Sequence, residues 1–135
     1  MLKMVVESWK REGMSREAFL DYLANTHGPL VRKHGPALGF RKYIQNIRLA
    51  SAEIDGFAEG RNWSPAPDAS VELWFDSAAQ MAAAFASPDA AEASAILEED
   101  ERKFVDASRL SAFLSHEEVI FDFMQPGARF ADNNK

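Results

Sequence analysis

Strand-like and helix-like periodicities follow one another along this chain in the order β-α-β-β-α-β, and few folds accept that order. Residues Leu2 to Lys10 alternate as a strand does, with Met4, Val6 and Ser8 on one side and Val5, Glu7 and Trp9 on the other. A helix is predicted from Ser15 to about His27, with a short broken continuation through Val31 to Leu38. Gly39 opens a second strand, Phe40 to Arg48. Residues 50–69 read as a loop, with Asp55-Gly56 and Trp63-Ser64-Pro65-Ala66-Pro67 as turn signals. Ser70 to Phe75 form a third strand. Ser77 with Gln80 three residues on reads as a capping box for an alanine-rich helix from Ala78 to Ala86. Ser87-Pro88-Asp89 restarts it, with a cap, a proline at the first helical position and an acid in the first turn, and it runs to about Phe104. The last strand is placed at Glu117 to Met124. These elements make one α+β domain over residues 1–124, and residues 125–135 read as a flexible tail.

That order is the ferredoxin-like arrangement, an antiparallel sheet with both helices on one face. The other face would meet water and should then be polar. Val119-Ile120-Phe121 and Met4-Val5-Val6 instead run apolar on both parities. In a chain of 135 residues the economical cover is a second copy, so a homodimer is expected.

Composition removes several classes of function. No apolar run approaches the roughly 18 residues that span a bilayer, and the apolar part of the N-terminus is too short for a signal peptide. The cytosol is therefore the default compartment and no membrane partner is expected. The chain has no cysteine, which excludes disulfides and thiolate chemistry. Its net charge of −6 would be repelled by a phosphate backbone, so no nucleic-acid partner is expected. Phosphate-binding loops, dinucleotide fingerprints and the Gly-x-Ser-x-Gly elbow are all missing from the sequence. No cofactor is implied.

The first helix carries the best candidate for chemistry. Ser15 is a good N-cap, and Met14 before it with Phe19 after it fits a hydrophobic staple. Phe19, Leu23, His27 and Leu30 recur at one helical face. Pro29 disfavours helical geometry at Gly28, so the helix should end or kink near His27. A histidine there would feel the negative end of the helix dipole, which favours its protonated form. His27 is then either a hydrogen-bonded core residue or a general acid or base, since a histidine titrates near neutrality. His34, seven residues on, is too far along a helix to share a metal ion with it and reads as surface. His116-Glu117-Glu118 begins like a zinc-protease motif, but Ile120 stands where the second histidine would be, so no metal is expected.

The run Gly13-Met14-Ser15-Arg16-Glu17-Ala18-Phe19, His27-Gly28-Pro29-Leu30, Gly39-Phe40-Arg41-Lys42-Tyr43 and Glu72-Leu73-Trp74-Phe75-Asp76-Ser77 resembles the EthD-like branch of the dimeric α+β barrel superfamily over about residues 3–122. The resemblance implies a homodimer whose two sheets close into a barrel. It also implies cofactor-independent chemistry of the kind carried out by polyketide cyclases and dehydratases, muconolactone isomerases, anthrone monooxygenases and proteins of ether degradation. Muconolactone methylisomerases share the Met-Ser-x-x-x-Phe helix start, histidine and tyrosine at the places of His27 and Tyr43, and the Glu-x-Trp-Phe strand end. They use a second histidine after the second strand, and Ser51 to Asp68 contains none.

The expected reading is therefore a lyase, dehydratase, isomerase or cyclase. Its substrate would be an apolar cyclic or aromatic compound, with His27 and Tyr43 catalytic and Trp74, Glu72 and Trp9 in contact with substrate. A cofactor-free oxygenase and a non-catalytic module that binds a hydrophobic ligand are the alternatives; a haem-degrading protein is a third. Glu72 has a competing role as the partner of an arginine such as Arg41 or Arg48. Phe57 and Trp63 are either a pocket rim or part of a surface loop.

Overall fold

The computed structural model describes residues 1–124, so the predicted tail lies outside the described residues. Strands β1 (Leu2–Ser8), β2 (Lys42–Ile47), β3 (Ala69–Phe75) and β4 (Ser111–Ser115) form one antiparallel sheet in the order β2-β3-β1-β4. With helices between β1 and β2 and between β3 and β4, this is the expected ferredoxin-like α+β fold.

Register sorts the side chains. Met4 pairs with Leu73, Val6 with Val71, and Tyr43 with Leu73, placing these residues on the helix-covered face. Along β3, Ala69, Val71, Leu73 and Phe75 are buried, while Ser70, Glu72 and Trp74 point to the open face. Lys3, Val5, Lys42, Ile44 and Phe113 share that open face by register.

The helical layer begins with α1 (Arg16–Tyr22), where Ser15 Oγ accepts from Ala18 N–H at 3.1 Å as the cap signal predicts. The expected interruption near His27 takes the form of a change in helix type and not of an end. The helix widens into a π-helical turn, Leu23–His27, and continues as α2 (Gly28–His34) and a 3₁₀ turn, Gly35–Leu38. Proline cannot donate to the carbonyl four residues back, and its ring crowds that carbonyl. The wider turn just before Pro29 accommodates both effects without breaking the rod.

Helix α3 (Ala52–Gly60) occupies the first half of the predicted loop, and the Trp63–Pro67 stretch stays irregular as expected. Ser51 caps it, accepting from Ile54 N–H at 3.2 Å, and Glu53 and Asp55 lie in its first turn. Asp55-Gly56 is helical and forms no turn. None of the residues of α3 is buried; Phe57 and Trp63 meet edge to face on the surface, with ring centroids 5.3 Å apart. Helices α4 (Ala78–Phe85) and α5 (Pro88–Glu101) follow the expected break at Ser87-Pro88.

The last strand is Ser111–Ser115, earlier than predicted, and Glu117–Met124 forms no strand. A tight turn explains the shift. Arg109 N–H bonds to Asp106 O at 3.1 Å, and Ser108 donates from both N–H and hydroxyl to the Asp106 carboxylate. The chain thus returns to the sheet directly after the Lys10–Val105 bridge.

Two buried clusters fill the space between the layers. One joins Phe19 and Leu23 to Val71 and Phe104; the other joins Val31 and Leu38 to Ala90, Ala93 and Leu97. Tyr43 packs against both.

The corner before β2 depends on Gly39. Its φ is +85°, and an added Cβ would lie 2.6 Å from Gln80 Nε2 and 2.7 Å from Ala84 Cβ. Gly39→Ala should cost at least roughly 1–2 kcal/mol from backbone conformation alone. Urea denaturation measures this, and an unchanged midpoint would contradict the close seat of α4 on this corner.

Candidate active site

The π-helical turn does more than relieve Pro29. Gly28 N–H bonds to Leu23 O, five residues back, and Gln45 Nε2 of β2 donates to the same carbonyl at 2.9 Å. The turn is thereby tied to the sheet. It also turns His27 inward, leaving the residue only 5% exposed. π-Turns recur at functional positions because they re-aim a side chain within a continuous helix.

His27 Nδ1 donates to Asp100 Oδ2 at 2.8 Å. The other carboxylate oxygen accepts from Tyr22 Oη at 2.6 Å, with Lys103 Nζ 3.8 Å away. The Phe104 ring packs against both partners, 5.1 Å from the His27 ring and 4.7 Å from the Tyr22 ring. Burial pushes the Asp100 carboxyl up, but hydrogen bonds from Tyr22 and His27 and the nearby positive charges outweigh it, and the carboxyl stays below its ordinary value. The hydrogen bond to Asp100, followed by burial, pushes the Tyr22 phenol up to about 12. An ionised carboxylate only accepts, so Nδ1 carries the hydrogen in this contact. In the neutral ring, Nε2 then presents its lone pair, and it has no hydrogen-bond partner among the described residues.

The His27 ring lines a cavity of about 580 Å³ between the helices and the sheet. Its walls are largely apolar, from Met4, Val6, Val71 and Leu73 on the sheet to Leu23 and Val31 on the helices. Ala90, Ala91 and Ser94 line it from α5, where larger side chains would fill it. The polar lining comprises Ser8, His27, Tyr43, Ser94, Glu98 and Glu101. Burial pushes the Tyr43 phenol up to about 12, with a further rise from the Glu101 charge against a hydrogen bond from Gln45. Burial, and then the charges of Glu98 and Asp100, push the Glu101 carboxyl up to about 7. No three potential metal ligands converge among the described residues.

The structure thus brings His27 and Tyr43 together and separates the other three predicted residues from them. Glu72 and Trp74 lie across the sheet from the cavity, because alternate residues of β3 face opposite sides. Glu72 pairs there with Lys3 at 2.8 Å, and not with Arg41 or Arg48, which pair with Asp76 and Asp68. Lys3 and Lys42 stand over the Trp74 ring. Trp9, just past β1, lies against the Arg109 guanidinium at 4.6 Å and does not line the cavity. Asp100 and Glu101 were missed. The sequence held a signal for the first: Ala90, Ala93, Leu97, Asp100 and Phe104 step by three and four, which puts a carboxylate on an apolar stripe.

The EthD domain model matches residues 11–108, well over half of the chain, and the protein belongs to the EthD family. An EthD family protein from Bacillus halodurans is similar in structure, with a TM-score of 0.58 at 19% identity over 87% of this chain and 99% of that one. An EthD-like protein from Ralstonia eutropha gives 0.54 at 19% identity over 84% and 88%. A dimeric protein of ferredoxin-like fold and unknown function from Bacteroides fragilis gives 0.53 at 10% identity over 86% and 95%. These likenesses concern the fold. No curated protein sequence matches the chain. No helix among the described residues is long and apolar enough to cross a membrane.

The raised Glu101 carboxyl has a consequence for stability. In the folded protein it keeps its proton to about pH 7, whereas its ordinary value is 4.5. Between those values the unfolded chain releases the proton first, so stability falls as pH rises. Glu101→Gln should therefore melt higher than the parent at pH 8 and alike at pH 4.5. Calorimetry at both pH values checks this, and an equal gap at the two contradicts it.

Proposed function

We propose that the protein is a cofactor-independent enzyme that moves a proton on an apolar cyclic or aromatic compound, with His27 as the general base and acid. The observation that supports it is the His27–Asp100 bond of 2.8 Å in the wall of a largely apolar cavity. Asp100 fixes the ring's orientation and hydrogen position and balances the imidazolium that forms when Nε2 takes a proton. His27 then returns the proton either to another ligand atom, which is an isomerisation, or to a departing hydroxyl, which is a dehydration. Tyr43, its phenol raised, stays a hydrogen-bond donor toward a ligand oxygen. The largely apolar walls of the cavity strengthen each of these interactions.

The test is turnover of a panel of phenols, lactones and short polyketides by the parent and by His27→Asn. The asparagine amide can still donate toward Asp100, so the fold should survive while the base is lost. A loss of about 10²–10⁴-fold is expected. A variant that matches the parent on a substrate the parent turns over would sink this role. The competing reading, a binding module without turnover, draws on the burial of His27 and the hydrogen bond of its Nδ1 to Asp100. It predicts ligand binding without turnover by the parent.

The active form is proposed to be a homodimer joined through the open sheet face. Val5, Ile44 and Phe113 sit there by register, and Phe113 is about half exposed, at 52%. A stable interface of this type covers more than about 1,000 Å². Sedimentation at low micromolar concentration should show twice the 15.1 kDa chain mass, and Phe113→Glu should shift it toward monomer. A well-folded parent monomer would refute the dimer.

A further inference from the structure

Among the described residues, no lysine or arginine lines the His27 cavity. The charge that does face it is acidic: Glu101 at the end of α5 and Glu98 one turn earlier. Arg32, Arg41 and Lys42 line a separate cleft on the far side of Tyr43. Glu98 is largely exposed and already paired with Arg102 at 2.8 Å, so its charge is met at the rim. Glu101 differs. Its carboxyl is partly buried and has neither an ion pair nor a side-chain hydrogen bond among the described residues. A polar group in that position normally acquires a partner, because leaving it unsatisfied is costly.

We propose that Glu101 sets the charge selectivity of this cavity, admitting a neutral hydroxyl-bearing ring compound and excluding its carboxylate counterpart. This rests on the reading of the cavity as the substrate site. A ligand hydroxyl can donate to the Glu101 carboxylate or accept from its protonated form, so it satisfies the group in either state. A ligand carboxylate would lie close to a second carboxyl in a largely apolar space with no lysine or arginine to balance it, the His27 ring being already matched by Asp100, and like charges so placed are unfavourable. An ammonium ligand would gain one ion pair but lose its hydration against walls that are mainly aliphatic and aromatic, so the neutral class is favoured.

The groups that act on Glu101 are Glu98 and Asp100 on its own helix and Tyr43 from β2, and His27 of the π-turn lines the same cavity. Lys103 is engaged by Asp100 and Arg102 by Glu98. Exclusion of anions strengthens as Glu101 ionises, which its raised value of about 7 places between pH 6 and pH 8.

Isothermal titration with 2-naphthol, 2-naphthoate and 1-naphthylmethylamine tests this on the full chain, since the three share a ring system and differ in charge. At pH 8 the parent should bind naphthol at least about tenfold more tightly than naphthoate. The ratio should shrink at pH 6, and Glu101→Gln should bring it near unity at both pH values. Equal binding of naphthol and naphthoate by the parent, a ratio unchanged in Glu101→Gln, or tighter binding of the amine than of naphthol would each overturn the proposal. Failure of all three probes to bind at millimolar concentration would overturn it together with the cavity as a ligand site. Charge selectivity without any effect of His27→Asn on turnover would leave this proposal standing and remove only the acid–base reading.

Discussion

The 2.8 Å contact between His27 and Asp100 is the interaction on which the candidate site depends. It joins the π-helical turn to α5, two elements separated by 73 residues in sequence. It also satisfies two buried polar groups at once, which a folded interior requires. Tyr22 completes the arrangement from one turn earlier in the helix, so a single carboxylate holds two side chains of the rod that includes Pro29. Break this contact and both the orientation of His27 and the docking of α5 lose a fixed point. Removing His27 would leave the buried Asp100 carboxylate short of a hydrogen bond, which is costly in an interior.

The cavity beside it comes from residue size as much as from topology. The α5 face turned to the sheet carries Ala90, Ala91 and Ser94 where larger side chains would close the space, while Phe104 and Leu97 pack tightly nearer the helix end. An alanine stripe alone would be consistent with tight helix–sheet packing. What makes this one a cavity is that the long side chains next to it, His27 and Tyr43, are held by other partners. Asp100 takes one and Gln45 the other, at 2.8 and 3.2 Å.

Much of the fold was legible in the sequence. Period-2 alternation located β1 and β3, the caps Ser15 and Ser77 located α1 and α4, and Pro88 located α5. Two places misled, each for a local reason. Asp55-Gly56 reads as a turn, yet it lies inside α3, where Ser51 and two acids in the first turn outweigh the glycine. The apolar run at Val119-Ile120-Phe121 outshone the short Ser111–Ser115, whose place is fixed by the Asp106 turn and not by its own hydrophobicity. Pro29 reads as an end or kink of the helix, and one wide turn absorbs it within a continuous rod. For the site, His27 was visible because a titratable group on an apolar stripe is conspicuous, and Tyr43 because of its place in the family resemblance. Asp100 had the same mark as His27. Glu101 had none, since its environment exists only after α5 meets β2. Glu72 and Trp74 were misplaced because parity within a strand does not say which face the helices will cover.

The central claim is that Asp100 holds the hydrogen on His27 Nδ1 and leaves Nε2 open to the cavity. Long-range ¹H–¹⁵N NMR of the histidine rings reads this directly through the state of each ring nitrogen. The account predicts a protonated Nδ1 above and below the midpoint of titration, with Nε2 gaining and losing the proton and shifting when a ligand fills the cavity. A neutral His27 ring with its hydrogen on Nε2, or an Nε2 signal indifferent to both pH and ligand, would contradict it.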